Sequence, residues 1–376
     1  MRTPATDLLG IDMPIFAFSH CRDVVAAVTN AGGCGVLGAV AHSPEQLDVD
    51  LTWIEDEVKG KPFGVDLLVP EKFAGSEQGG LDRDALRGLV PDEHRQYVDD
   101  LLTRYDVPPL PDDIDIGRAG LGMRVDPKSM APLLDVLFAH ETKLVASALG
   151  PPPPHFIDRA HGAGIPVAAL AGSVEHARRH LEAGADLIVA QGTEGGGHTG
   201  QIATMVLVPE VVDAVAPVPV LAAGGIARGR QLAAGMALGA SGVWCGSVWL
   251  TTEEAETSPA VKEKFLHAGL GDTVRSRSIT GKPARMLKTP WTDAWESTEG
   301  PGTLPMPLQP MLVGEALARI NRVATKEGSG AQELATYFVG QVVGSMNAVQ
   351  PTRQVVLEMV EEFIDAVERL NGFVAS

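Results

Sequence analysis

Eight short apolar runs, separated by stretches that read as helices, set the tightest limit on what this chain can fold into. They cover residues 15–18, 35–38, 63–67, 144–148, 166–170, 187–190, 220–223 and 242–245. Most are continuously apolar rather than alternating, which is how parallel strands read when both faces are buried. Helix signals lie between them. Ser43-Pro44-Glu45-Gln46 combines a capping box with proline at the first helical position. Ser173 can cap a helix over 174–182 that stops at Gly184, Pro209 opens one over 210–215, and 228–238 reads as a helix ended by Gly239. Repeated βα units of this number predict an α/β fold, a (β/α)8 TIM barrel. A doubly wound open sheet is the competitor. The count of eight, and the absence of GxGxxG after the first run, favour the barrel.

Two regions break the rhythm. Residues 76–117 are acidic and contain proline. Within them Tyr97, Val98, Leu101, Leu102 and Tyr105 keep helical spacing. An insertion after the third strand sits on the C-terminal rim of a barrel, either as a surface excursion or as a substrate lid. From about Thr252 the βα pattern stops: 253–270 reads as helical, 272–287 as a hairpin around Thr280-Gly281, and 293–308 is rich in proline and glycine. The expected division is a barrel over 1–252, a smaller lid domain over 253–326, and C-terminal helices over 327–376. The last helix, 354–370, carries Val356, Val360, Phe363, Val367 and Leu370 on one face and is expected to pack back on the barrel. Pro151 to Pro154 form a stiff extended turn.

Composition narrows the class of partner. The 376 residues suit a large α/β domain with an appendage. A net charge of −18 argues against nucleic acid and anionic membranes, since both need clustered Lys and Arg. It leaves room for a phosphate held by backbone N–H groups. Cys21, Cys34 and Cys245 are too few and scattered for a disulfide framework, Cys21 and Cys34 read as small core or rim residues, and no Cys/His cluster suggests a metal. No apolar stretch is long enough to cross a bilayer, and the first residues lack the apolar run of a signal peptide. The expectation is a soluble, reduced, cytoplasmic protein.

The densest chemical signal is Gln191-Gly192-Thr193-Glu194-Gly195-Gly196-Gly197-His198-Thr199-Gly200, directly after the sixth run. Three successive glycines offer no packing, so they serve close approach of a ligand or of another backbone. His198 at the end of the loop is placed to act as acid, base or hydrogen-bond donor. Ala223-Gly224-Gly225-Ile226 follows the seventh run and Cys245-Gly246-Ser247 the eighth. Barrels bind phosphate with these two loops, so the pair together reads as a phosphate site, while either alone reads as a tight turn. Asp66 ends the third run and must reach a partner or solvent, either hydrogen-bonding a ring or capping its loop. Ser147 and Gly150 close the fourth run in the same way.

Together with Pro14-Ile15, Ala31-Gly32-Gly33-Cys34-Gly35, Pro62-Phe63-Gly64-Val65, Gly239-Ala240-Ser241-Gly242-Val243-Trp244, segment 277–285 and Gly340-Gln341-Val342-Val343-Gly344, these motifs resemble the nitronate monooxygenase family over roughly residues 8–344. The resemblance implies an FMN-bound barrel with a smaller domain closing the site. It implies that Gly224, Gly225, Gly246 and Ser247 hold the FMN phosphate. Ala17, Asp66, Gln191, Gly196 and Gly197 would line the rest of the flavin, and His198 would be the active-site histidine. It further implies oxidation of a nitronate or nitroalkane by O2, or, in related members, NAD(P)H-dependent reduction of a quinone or enoyl thioester. A flavin-free phosphate-binding barrel, acting as sensor or isomerase, is the alternative from another class. The chain departs from the family pattern at Asp66, where many members have Asn, and at Leu170, where some have a basic residue. It departs again at Phe16-Ala17-Phe18-Ser19-His20, which replaces a small Gly-rich stretch and makes His20 a second candidate to face the flavin.

Overall fold

The computed structural model describes residues 1–67, 83–111, 127–148 and 150–374. The strands in chain order are β1 (Ile15–Ser19), β2 (Cys34–Gly38), β3 (Gly64–Leu67), β4 (Leu144–Ser147), β5 (Val167–Ala171), β6 (Leu187–Gln191), β7 (Gly197–His198), β8 (Val220–Ala223), β9 (Gly242–Cys245), β10 (Thr273–Ser276) and β11 (Ala284–Leu287). All except β7, β10 and β11 form a closed parallel barrel, sealed where β9 pairs with β1 (Phe16 opposite Trp244). The barrel expected from the sequence is therefore present, and each apolar run becomes a strand to within one residue at either end.

The helices are α1 (Pro4–Leu9), α2 (Arg22–Asn30), α3 (Pro44–Val58), α4 (Arg83–Gly88), α5 (Asp92–Arg104), α6 (Pro127–Leu137), α7 (Pro154–Gly162), α8 (Val174–Glu182), α9 (Thr204–Val215), α10 (Gly229–Ala237), α11 (Pro259–His267), α12 (Pro290–Glu296), α13 (Leu308–Val323), α14 (Gly330–Leu334) and α15 (Thr352–Val374). Ser43 caps α3 by accepting from the Gln46 N–H, but the reciprocal half of the expected box is missing, because the Gln46 side chain donates to Asp50 instead. α9 begins at Thr204, six residues before the expected start, and carries Pro209 inside it. The Glu194 carboxylate accepts from the Thr204 N–H and hydroxyl and so starts this helix early.

Strand parity decides which side chains reach the barrel interior. Phe16, Val36, Leu144, Ala168, Val189, Leu221 and Trp244 pack together inside it. Val65 and Leu67 pack outward with the helices, so Asp66 between them points inward at the mouth. By the same parity Gln191 follows Val189 inward.

After β9 the chain forms a short 3-10 turn at Ser247–Thr251 and then leaves the barrel. β10 and β11 form the expected antiparallel hairpin, with Thr273 opposite Leu287 and the turn at Gly281 in the left-handed region. β7 adds a third strand that the sequence did not suggest, pairing His198 with Ala284 and Gly197 with Arg285. Within the 76–117 insertion, residues 76–82 and 112–117 lie outside the described residues. Its α5 packs against α13, Tyr97 donates to the Ala294 carbonyl of α12 (2.6 Å), and Arg319 of α13 donates to the Val107 and Pro108 carbonyls. None of its described residues reaches the central cavity.

α15 lies across α10 and α2. A Cβ at Gly229 would stand 1.9 Å from the Met359 carbonyl oxygen, so this crossing requires glycine. Glu362 caps α10 by accepting from the Gly229 N–H (2.9 Å) and pairs with Arg228. The buried positions of α15 are Thr352, Val355, Val356, Met359 and Ala366. Of the expected apolar face, Val356 is buried, while Leu370 is 49% exposed.

Candidate active site

The C-terminal ends of the barrel strands open into a cavity of about 1020 Å3. Asp66, Gln191, Gly196, Gly197, His198, Gly224, Gly225, Gly246 and Ser247 all line it. Ala17 does not. Parity turns it outward, fully buried among residues under the helices, while Phe18 and Ser19 form the wall at that point. Phe16 and Phe18 stack with Trp244 (centroids 6.3 and 6.4 Å apart), giving the barrel mouth an aromatic floor. Cys245 lines the cavity, and burial pushes its thiol up to about 12, so it is no nucleophile at neutral pH.

The loop after β6 is held from several sides. Arg285 donates to the Thr193 carbonyl (2.8 Å) and Arg275 to the Thr199 carbonyl (2.9 Å). Gln341 N–H donates to the Glu194 carbonyl (2.9 Å). A Cβ at Gly196 would meet the Gly340 nitrogen at 2.9 Å, so this glycine admits another backbone strand. Glu194, the loop's other ionisable group, is committed to Thr204. His198 Nε2 is 2.8 Å from Thr280 Oγ1, and its ring lies 6.2 Å from that of Phe338. Burial, with the nearby Lys282 ammonium, lowers its pKa to about 4. His198 is therefore a neutral imidazole at physiological pH. Thr280, Lys282 and Phe338 were not among the residues expected in the site; Thr280-Gly281 was legible only as a turn.

The loops after β8 and β9 make a cradle. Gly224 and Gly225 have φ of 98° and 68°, and a Cβ at Gly225 would come within 3.0 Å of Glu194 Cβ. At Gly246 nothing comes nearer than Phe18 at 3.9 Å. The N–H groups of Gly225, Gly246 and Ser247 donate to no turn, loop or cap acceptor among the described residues. They are donors available to an anion, joined by the Ser247 hydroxyl, whose oxygen already accepts from Gly340 N–H (2.8 Å). The N-terminus of α10 is spoken for by Glu362 and Gln231. This donor set fits a terminal phosphate.

Asp66 is 7% exposed, and burial pushes its carboxyl up to about 7. It faces the cavity as a carboxyl that burial keeps protonated to far higher pH than an ordinary carboxylate. His20, also on the cavity wall, donates from Nδ1 to the Gly38 carbonyl at 2.6 Å.

A nitronate monooxygenase family model matches residues 2–362. A Mycobacterium tuberculosis protein provisionally named a monooxygenase is 64% identical over 374 residues, spanning all of both chains. A hydroxy-methyl-oxo-octahydroindene-carboxyl-CoA dehydrogenase of the same organism is 32% identical over 303 residues, 79% of this chain and 69% of that protein. Among solved structures, nitroalkane oxidase from Streptomyces ansochromogenes superposes with a TM-score of 0.78 at 25% identity, covering 97% of this chain and 99% of that one. Barrel and His-bearing loop thus coincide with a match along nearly the whole length, and the chain belongs to the nitronate monooxygenase family of flavin-dependent oxidoreductases.

Proposed function

We propose that this protein is an FMN-dependent nitronate monooxygenase that oxidises alkyl nitronates with O2 to a carbonyl compound and nitrite. The observation that carries the reading is a neutral His198, fixed by Thr280, facing the cavity that the Gly224–Gly225 and Gly246–Ser247 loops also line. Gly224, Gly225, Gly246 and Ser247 would hold the phosphate, and Asp66 and Gln191 would meet the ring system from inside the barrel. A single phosphate cradle, with no dinucleotide motif, favours FMN over FAD. When bound, the flavin supplies the electron transfer and the reaction with oxygen.

The protein's part is position, charge and exclusion of water. The Thr280 hydroxyl has one proton and two acceptors in reach, His198 Nε2 at 2.8 Å and the Lys282 carbonyl at 3.2 Å. Given to the nearer, it leaves His198 with Nδ1–H for the cavity. A neutral N–H donor, with the Lys282 ammonium behind it, holds the two oxygens of a nitronate anion without taking its charge. Phe338 and Tyr337 cover this end and keep water out.

A second reading is a flavin reductase or dehydrogenase acting on a thioester, with or without NAD(P)H. The cavity volume favours it, being at the upper end for small-molecule sites, as does the relative named for a CoA thioester. Heat-released cofactor identified as FMN, together with nitrite formed from ethylnitronate in air, is the expected result for the first reading. FAD, or a colourless protein, would contradict it.

A further inference from the structure

Asp66 is the one acidic or basic side chain in the eight strands of the barrel. Its neighbours across the sheet are Gly38 of β2 and Ala146 of β4. It lines the cavity and is 7% exposed, and its carboxyl hydrogen-bonds no described residue. A buried polar group without a protein partner is costly, so a carboxyl aimed into this cavity points to a partner that occupies it. Asparagine has the same shape and offers a neutral donor and acceptor. What aspartate adds at this place is one exchangeable proton.

No neighbouring charge fixes the state of that proton. On β2 the one ionisable side chain is Cys34, whose thiol burial pushes up to about 12. β4 has none. The loop after β1 brings His20, bound at 2.6 Å to the carbonyl of Gly38, the residue opposite Asp66. Burial lowers the pKa of that imidazole. The loop after β2 brings His42, whose Nε2 lies 3.0 Å from Asp50 Oδ2. None of these contributes to the rise of Asp66, to about 7, which burial alone causes.

We propose that Asp66 is the proton partner of the flavin: its carboxylate takes up one proton when reduction places negative charge on the ring beside it, and gives it back when oxygen removes the electrons. This rests on the flavin of the reading above and is independent of the nitronate. In the step, a water gives up the proton, an O–H bond forms on the carboxylate, and hydroxide leaves to solvent. The electrons come from the substrate and pass to oxygen, so Asp66 is neither oxidised nor reduced. The buried mouth then never holds two negative charges at once. An oxidised ring is uncharged and accepts either form of Asp66. Below about pH 7 the carboxyl is protonated whichever state the flavin is in, so no coupling appears there. Above that pH it is ionised beside the oxidised ring, and the like charge of the reduced ring raises its pKa and draws the proton in.

The test is the midpoint potential of the flavin-loaded protein, by anaerobic two-electron reduction from pH 5.5 to 8.5, with wild type and Asp66→Asn side by side. The two curves should run parallel below pH 7. Above it the reduction equilibrium of the wild type should fall a further tenfold per pH unit, about 30 mV for a two-electron couple. Curves parallel throughout overturn the inference and leave the flavin reading intact, whereas a wild type that binds no flavin overturns both. Reduction of the wild type at pH 8 should also produce the infrared C=O band of a protonated carboxyl, a band missing from Asp66→Asn. That readout stands on the wild type alone if the variant does not hold flavin, and no new carboxyl band at pH 8 would refute the proton uptake.

Discussion

Replacing Asp66 by Asn should remove a pH dependence of stability that the wild type carries. The carboxyl sits inside the barrel mouth, 7% exposed, and burial moves it from 3.8 to about 7. The folded state therefore holds a proton that the unfolded chain has released. Stability from this group is complete below pH 3.8, declines as pH rises, and is gone above about 7. Each pH unit within that window is worth about 1.36 kcal/mol. From pH 5.5 to 7.5 the wild type should thus lose roughly 2 kcal/mol relative to Asp66→Asn, within a ceiling of about 4 kcal/mol across the whole window. Urea unfolding of both proteins at fixed excess FMN, at half-unit pH steps, gives the difference curve, in which contributions common to both cancel. A flat difference from pH 5.5 to 8 would mean that Asp66 is an ordinary ionised carboxylate, and the inward placement argued from strand parity would fall with it.

Three further expectations follow from the same geometry. Gly225→Val places a branched Cβ against Glu194 in a left-handed turn, so flavin content after purification should drop to a few per cent while the barrel still folds; full flavin loading would place the phosphate elsewhere. His198→Asn should lower kcat on ethylnitronate by about 10²-fold, and the wild-type profile should show no break near pH 6.5 from this residue, because its pKa is lowered to about 4; a break there that vanishes in the variant would contradict the burial argument. Gly229→Ala should loosen α15 from α10 and α2, cutting hydrogen-exchange protection in α15 at least tenfold while β1–β6 stay protected; unchanged protection would show that the crossing adapts.

The barrel was legible because its strands are buried on both faces, and eight continuous apolar runs between helical stretches have few other solutions. That the loops after the last two strands line the cavity was legible for a related reason: their small residues have no packing role. What sequence could not provide was partnership across the chain. Glycines 195–197 were read as serving close approach of a ligand or another backbone; at Gly196 the approaching group is the backbone of residues 339–340, which lie far off in sequence, while at Gly197 nothing comes within 4 Å. Thr280 looked like a turn residue until β7 joined β11 and brought it to His198. Ala17 was misplaced through a signal that was present. Phe16 and Phe18 on one face of β1 leave Ala17 on the other, and the same alternation that turns Asp66 inward turns Ala17 away. That His198 stays neutral was not legible either, since burial and Lys282 both come from tertiary structure.

The central claim concerns which substrate the flavin site serves, and one purified sample decides it. Oxygen uptake with ethylnitronate and oxidation of NADH or NADPH are measured side by side at the same enzyme concentration. The account predicts rapid oxygen uptake and nitrite release with the nitronate, and nicotinamide oxidation no faster than the background of free FMN. Rapid NADH or NADPH oxidation with no uptake on ethylnitronate would contradict it and assign the cavity to a reductase.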